Sequence, residues 1–305
     1  MDTLVTAETS SAIDGASRVH RLASGRRIGY AEYGDLDGWP VIALHGTPGS
    51  RFMFALTDEA ARARGLRVIA PERPGYGLSE VHHFDTLAEA AGDVKALADG
   101  LGLDRFALIG VSGGGPHAVA AAHLLKARIL RMALVGPVGP IAECGKHIRM
   151  LHLHRLIFTR MAPSPHAAGA FFSGLRALVD WAPGVAYRLL MQRVTTWDRE
   201  VLLHPEVRAN LQATIKEGLR IGVEGPLQDL RLYCGHWNLP LAEIDVPAIM
   251  WQGSEDIIVP PDAAYHLAGA LPDCSLEVIE GAGHYWVFGE FDRVLDAVRA
   301  AWPAA

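Results

Sequence analysis

Six short apolar runs punctuate the chain: "PVIALHG" (40–46), "LRVIAPE" (66–72), "RFALIGVS" (105–112), "ILRMALVG" (129–136), "PAIMWQG" (247–253) and "CSLEVIE" (274–280). They are rich in β-branched residues and bounded by glycine or proline, as strands buried on both faces should be. Between them the hydrophobic period is helical. "TLAEAAGDVKALADGL" sets Thr86 and Glu89 at capping-box spacing and lines up Leu87, Ala91, Val94, Leu97 and Leu101. "YWVFGEFDRVLDAVRAAW" does the same with Phe288, Phe291, Leu295, Val298 and Trp302. Strands alternating with helices predict an α/β chain with a doubly wound, mostly parallel sheet and right-handed crossovers. Its ligand site then lies at the carboxyl ends of the strands.

The alternation stops over 137–244, where no buried strand appears. That stretch is expected to form a helical insert over the sheet, leaving a core of 18–136 and 245–305. Residues 1–17, small and polar, are expected to be flexible.

Composition narrows the function. A chain of 305 residues, 50% hydrophobic and 20% charged, can bury a sizeable core. With a net charge of −6 and no run of lysine or arginine, it offers no footprint for nucleic acid or an anionic membrane. A small-molecule substrate is the expected partner, with the chain a monomer or homodimer. Cys144, Cys234 and Cys274 are far apart and form no C-x-x-C pair, so they read as reduced thiols rather than a disulfide framework or zinc site. The opening "MDTLVTAETSSAIDGAS" lacks a basic start followed by an apolar stretch, and no apolar run reaches spanning length. The expectation is a cytoplasmic protein.

Ser112 stands between Gly110 and Gly114 in "GVSGG", a G-x-S-x-G pattern that 32 glycines would produce by chance only about 0.1 times. It falls where "RFALIGV" ends and the helix-like "PHAVAAAHLL" begins. In that setting a serine is forced onto a sharp turn with its hydroxyl exposed, and only glycine-sized neighbours let the two elements approach. A phosphate loop would need G-x-x-x-x-G-K-[ST] or G-x-G-x-x-G, and "GVSGGGP" is neither.

A serine hydroxyl becomes nucleophilic when a histidine takes its proton and a carboxylate orients that histidine. Of 14 histidines, His284 in "GAGHYW" directly follows the last strand run, on the same rim as Ser112. Apart from it, only His45 follows a strand. His117 and His123 fall on the helix after Ser112 and read as ordinary surface or core histidines. Asp256, in "QGSEDIIVP", follows the 247–253 run, with Glu255 beside it as a competitor. The spacing G-x-x-D favours Asp256, and the position after "ILRMALVG" offers no carboxylate.

The order Ser, Asp, His, together with "LHGTPGS", "PERPGYGLS", "GVSGGGP", "WQGSEDIIVP" and "GAGHYW", resembles the α/β-hydrolase fold proteins with a helical cap, from about residue 18 onward. The resemblance implies a serine hydrolase acting on a carboxylic ester, thioester or lactone, with Ser112, Asp256 and His284 catalytic and neither metal nor organic cofactor. It implies an oxyanion hole from the amides of Thr47 and Gly113, on turns shaped by His45, Gly46, Gly110 and Gly114. The same fold also hosts lyases, cofactor-free oxygenases, carbon–carbon hydrolases and small-molecule receptors. Glu72 stands where the family usually has aspartate, Gln252 where it usually has histidine, and Val111 where many members have histidine. A serine nucleophile argues against the dehalogenases and epoxide hydrolases of this fold. Trp237 and Trp286 are candidates for an apolar substrate pocket.

Overall fold

A computed structural model describes residues 16–144 and 151–303. All six apolar runs are strands, and two more precede them; the 274–280 run, expected to be buried on both faces, is instead an edge strand exposed at 275–278. The strands are β1 (Ser17–Arg21), β2 (Arg27–Gly34), β3 (Trp39–Leu44), β4 (Leu66–Pro71), β5 (Phe106–Val111), β6 (Ile129–Val135), β7 (Ala248–Gly253) and β8 (Cys274–Ile279). They form one sheet in the order β1-β2-β4-β3-β5-β6-β7-β8. β2 pairs antiparallel with both β1 and β4, and every other pairing is parallel.

The chain steps from β3 to β4 on one side and returns to place β5 on the other. A crevice therefore opens beyond the carboxyl ends of β3 and β5, where a doubly wound sheet binds its ligand.

Period-two burial separates two cores. Ile42, Leu44, Phe106, Leu108, Met132 and Leu134 face one side; Val41, Ala43, Ala107, Ile109, Ala133 and Val135 face the other. The helices are α1 (Asp58–Ala63), α2 (Leu87–Gly100), α3 (Gly114–Leu125), α4 (Pro165–Trp181), α5 (Pro183–Met191), α6 (Thr196–Leu203), α7 (Pro205–Gly218), α8 (Glu224–Cys234), α9 (Pro261–Ala270) and α10 (Phe291–Arg299), with shorter turns between them. α2, α3 and α9 cover the first face and α1 and α10 the second.

α2 starts where its cap predicts: Thr86 Oγ1 accepts the Glu89 N–H at 3.1 Å. Glu89 answers at the Asp85 N–H (2.9 Å), one residue before the cap. Leu87, Ala91, Val94 and Leu97 are buried, at roughly 1.5–3 kcal/mol for each larger side chain. The C-terminal segment is a short 3₁₀ turn, Trp286–Gly289, followed by α10. Trp302, beyond α10, stacks on Trp39 at 4.7 Å.

Between β6 and β7 the described residues of the expected insert form α4 to α8 and single turns. Of the residues expected to be flexible, 1–15 lie outside the described residues. Ser17 already belongs to β1, and its Oγ accepts from Arg51 Nε at 2.8 Å. Among the described residues no helix is long and apolar enough to cross a membrane.

Candidate active site

Ser112 follows β5 directly and has φ 54°, one of two non-glycine residues with positive φ among those described. β5 delivers it and α3 begins two residues later, so the backbone reverses within one residue. The turn is pinned from both sides. Ser112 N–H donates to Val135 O at 2.8 Å, while Ser112 O accepts from Gly115 N–H (2.9 Å) and Val138 N–H (3.2 Å).

Space explains the neighbouring glycines. A Cβ on Gly110 would stand 2.9 Å from Ala118 Cβ, and one on Gly46 3.3 Å from Ser112 Cβ. A Cβ on Gly114 would overlap the Leu44 carbonyl and stand 2.9 Å from His45 O. Alanine is ordinarily the better helix residue by about 1 kcal/mol, so the clash sets the sign. Gly114→Ala should destabilise the fold by about 1–3 kcal/mol, read as a lowered urea midpoint; a raised midpoint would refute this account of the turn.

Asp256 and His284 meet on the same rim. His284 Nδ1 lies 2.7 Å from Asp256 Oδ2, with the carboxylate fully buried. Asp256 Oδ1 accepts from the amides of Ile258 (2.8 Å) and Val259 (2.9 Å), and Oδ2 also accepts from Gln252 Nε2 (3.1 Å). Gln252 thus helps hold the Asp256 carboxylate in place. Glu255, the rejected neighbour, points to solvent. Gly136, just after β6, would bring a Cβ to 3.4 Å from His284 Nδ1 and 3.6 Å from Asp256 Oδ2, so its missing side chain leaves room for the pair.

Burial alone would raise the Asp256 pKa, but the imidazole and the two amides outweigh it and hold the carboxyl below its ordinary value. Burial likewise opposes protonation of His284. Asp256, with Asp198 further off, overcomes it and lifts the imidazole above 6.5. Among the described residues no hydrogen bond joins Ser112 Oγ to His284, a contact that commonly tightens only with substrate.

The two candidate oxyanion donors are also adjacent. Among the described residues neither the Thr47 nor the Gly113 amide N–H donates within the protein. Tyr233 OH donates to Gly113 O at 2.7 Å and lies 2.7 Å from Thr47 Oγ1, tying the two turns together. His45, fully buried, sets its Nδ1 2.8 Å from Gly46 O and accepts the Arg73 N–H at Nε2 (3.3 Å). That shapes the turn below Thr47.

Beneath these turns lies a buried polar cluster that the sequence did not disclose. Arg73 donates to His45 O (2.5 Å), Gly46 O (3.0 Å) and Thr47 Oγ1 (3.0 Å), and pairs with Asp229 of α8 at 2.8 Å. Asp229 also receives Tyr76 OH (2.6 Å), Thr47 Oγ1 (2.7 Å) and His117 Nε2 (3.1 Å). Burial alone would protonate Asp229. Arg73 and His117 prevail and keep it far below the usual carboxylate range. His117, expected to be an ordinary histidine, is held neutral by burial and donates to that carboxylate.

Trp237 and Trp286, the candidate pocket residues, are 2% and 1% exposed. They are packed in the cores on opposite faces of the sheet. Glu72 makes a buried pair with Arg51 (2.8 Å), which also binds Glu217 of α7 (2.6 Å). Among the described residues no cluster of three or more His, Cys, Asp or Glu is placed to hold a metal ion.

The chain is 28% identical over 297 residues to a Pseudomonas putida 2-hydroxy-6-oxononadienedioate/2-hydroxy-6-oxononatrienedioate hydrolase, covering 93% of this chain and 96% of that one. It is 25% identical over 276 residues to a 2-hydroxymuconate semialdehyde hydrolase of the same species, covering 87% and 86%. The crystal structure of the enol-lactonase from Burkholderia xenovorans LB400 shares the fold, with a TM-score of 0.68 at 20% identity over 93% of this chain and 99% of that one. The family model described as alpha/beta hydrolase fold matches residues 40–291, from β3 to the start of α10. A match of that extent, spanning every rim segment that carries the site, makes this chain a member of the alpha/beta hydrolase fold family.

Proposed function

We propose that this enzyme hydrolyses a carboxylic ester, thioester or lactone of a small, largely apolar substrate through an acyl-enzyme on Ser112. The observation that carries the reading is the His284–Asp256 pair at 2.7 Å, on the same rim of the sheet as a serine held at φ 54° at the end of β5. Ser112 Oγ attacks the carbonyl carbon as its proton passes to His284. The new oxyanion is met by the amides of Thr47 and Gly113, and the imidazolium, held by Asp256, protonates the leaving group. Water activated by the same histidine then attacks the acyl carbon and releases the acid and the free serine. The insert covers the site as a cap and supplies the apolar surroundings of the substrate.

A second reading is carbon–carbon bond hydrolysis by the same three residues. It is favoured by the two Pseudomonas putida relatives, whose names carry a ketone or an aldehyde in place of an ester. The distinguishing experiment is peptide mass after fluorophosphonate treatment, followed by competition. One adduct on Ser112 supports either reading, protection by esters or lactones the first, and protection by 2-hydroxy-6-oxo dienoates alone the second. No adduct on the folded protein rejects both.

The raised His284 pKa gives the reaction a pH signature. The base works only when neutral, so kcat/KM should climb with pH and reach half its plateau above 6.5. A midpoint below that value would contradict the electrostatics described here.

A further inference from the structure

The insert places one carboxylate against the histidine loop. Asp198, in the first turn of α6, is 1% exposed. Its Oδ1 accepts from the Gly283 N–H (3.2 Å), and its Oδ2 from the N–H groups of His284 (2.8 Å) and Tyr285 (3.0 Å). Three successive amides, centred on the candidate base, thus converge on a side chain about 85 positions away in sequence. Asp198 is itself set in place, since its N–H donates to Thr195 Oγ1 at 3.1 Å.

The neighbouring glycine depends on the same contact. A Cβ on Gly283 would overlap Asp198 Oδ2 and stand 2.9 Å from its Cγ. The glycine before the histidine in "GAGHYW" therefore leaves room for the insert's carboxylate. Among the described residues no lysine or arginine pairs with Asp198, so its charge is met by the loop amides.

Resting on the assignment of Ser112 as nucleophile and His284 as base, we propose that Asp198 is a positioning residue. It fixes the loop that aims His284 at Ser112, and so makes docking of the insert part of assembling the base. The groups facing His284 are Asp256 from the loop after β7, at Nδ1; Asp198 from α6, at the backbone; and the Tyr285 ring, edge-on at 5.6 Å. Both carboxylates favour the protonated imidazole, which gives the role a readout that simple bracing lacks.

The test is the rate of fluorophosphonate addition to Ser112 between pH 5 and 9, followed by peptide mass, for wild type, Asp198→Asn and Glu200→Gln. Glu200 is exposed on the same helix and serves as the charge control. Asp198→Asn keeps the shape but weakens the amide contacts and removes the charge. Its plateau rate should fall about 10-fold and its midpoint drop by about half a pH unit, while Glu200→Gln matches wild type. Asp198→Asn with the wild-type rate and midpoint would overturn the proposal while leaving the Ser112 reading intact. No Ser112 adduct in wild type would overturn both. If Asp198→Asn does not fold, hydrogen exchange on the wild type decides: slow exchange at the amides of 283–285 supports the proposal, and exchange at the speed of an open loop refutes it.

Discussion

Replacing Ser112 by alanine should leave a folded protein whose turnover is lower by about 10⁴- to 10⁶-fold and which no longer takes up a fluorophosphonate. The size of the effect follows from the proposed chemistry, since without Oγ no acyl-enzyme forms and only the oxyanion donors and binding remain. Folding should survive because the contacts that pin this turn, to Val135, Gly115 and Val138, run through the Ser112 backbone. Alanine inherits the φ of 54° and pays roughly the same cost of order 1–2 kcal/mol. Ser112→Gly relieves that strain, so it should be equally inactive yet more stable. Together the two variants separate loss of the nucleophile from loss of the turn. The reading fails if Ser112→Ala turns over at the wild-type rate.

What could be read from the sequence follows from where each residue's partners lie. β3 to β8 were visible because apolar runs between glycines and prolines have few alternatives, and β5 is buried at every position. β1 and β2 were not. β1 is an edge strand with an arginine at its second and last positions and a largely exposed face, which reads as loop. Ser112, Asp256 and His284 could be picked out as candidates because each lies on the turn or loop that follows a strand, and the topology places those loops on one rim. Asp198, Arg73 and Asp229 carry no such mark. Asp198 looks like an ordinary first-turn acid behind a threonine cap, and Asp229 like the polar face of a helix. What makes them special is a partner 85 or 156 residues away, and spacing along the chain does not encode that.

Asp229→Ala is therefore the substitution with the largest expected cost to the fold, at about 3–5 kcal/mol, because it leaves the buried Arg73 guanidinium without its carboxylate. For a chain of 305 residues that lowers Tm by about 5–8 °C. Thr47 and Tyr76 lose an acceptor and His117 its partner in the same step, so the loss spreads through the cluster. The consequence for activity runs through Thr47. Arg73 and Asp229 hold its hydroxyl and the carbonyls of His45 and Gly46, and with them the direction of the amide proposed to meet the oxyanion. Stability and positioning can be separated by the double variant Arg73→Met with Asp229→Leu. Removing both charges takes away the uncompensated cation, and Tm should recover much of its loss. Thr47 would still lack its hydrogen bonds to Arg73 and Asp229, so Ser112 should label about 10- to 100-fold more slowly than in wild type at matched folding. A double variant with both Tm and labelling rate restored would reduce the cluster to a structural pair with no part in the oxyanion turn. Asp229→Ala with an unchanged Tm would contradict the burial and pairing from which the prediction starts.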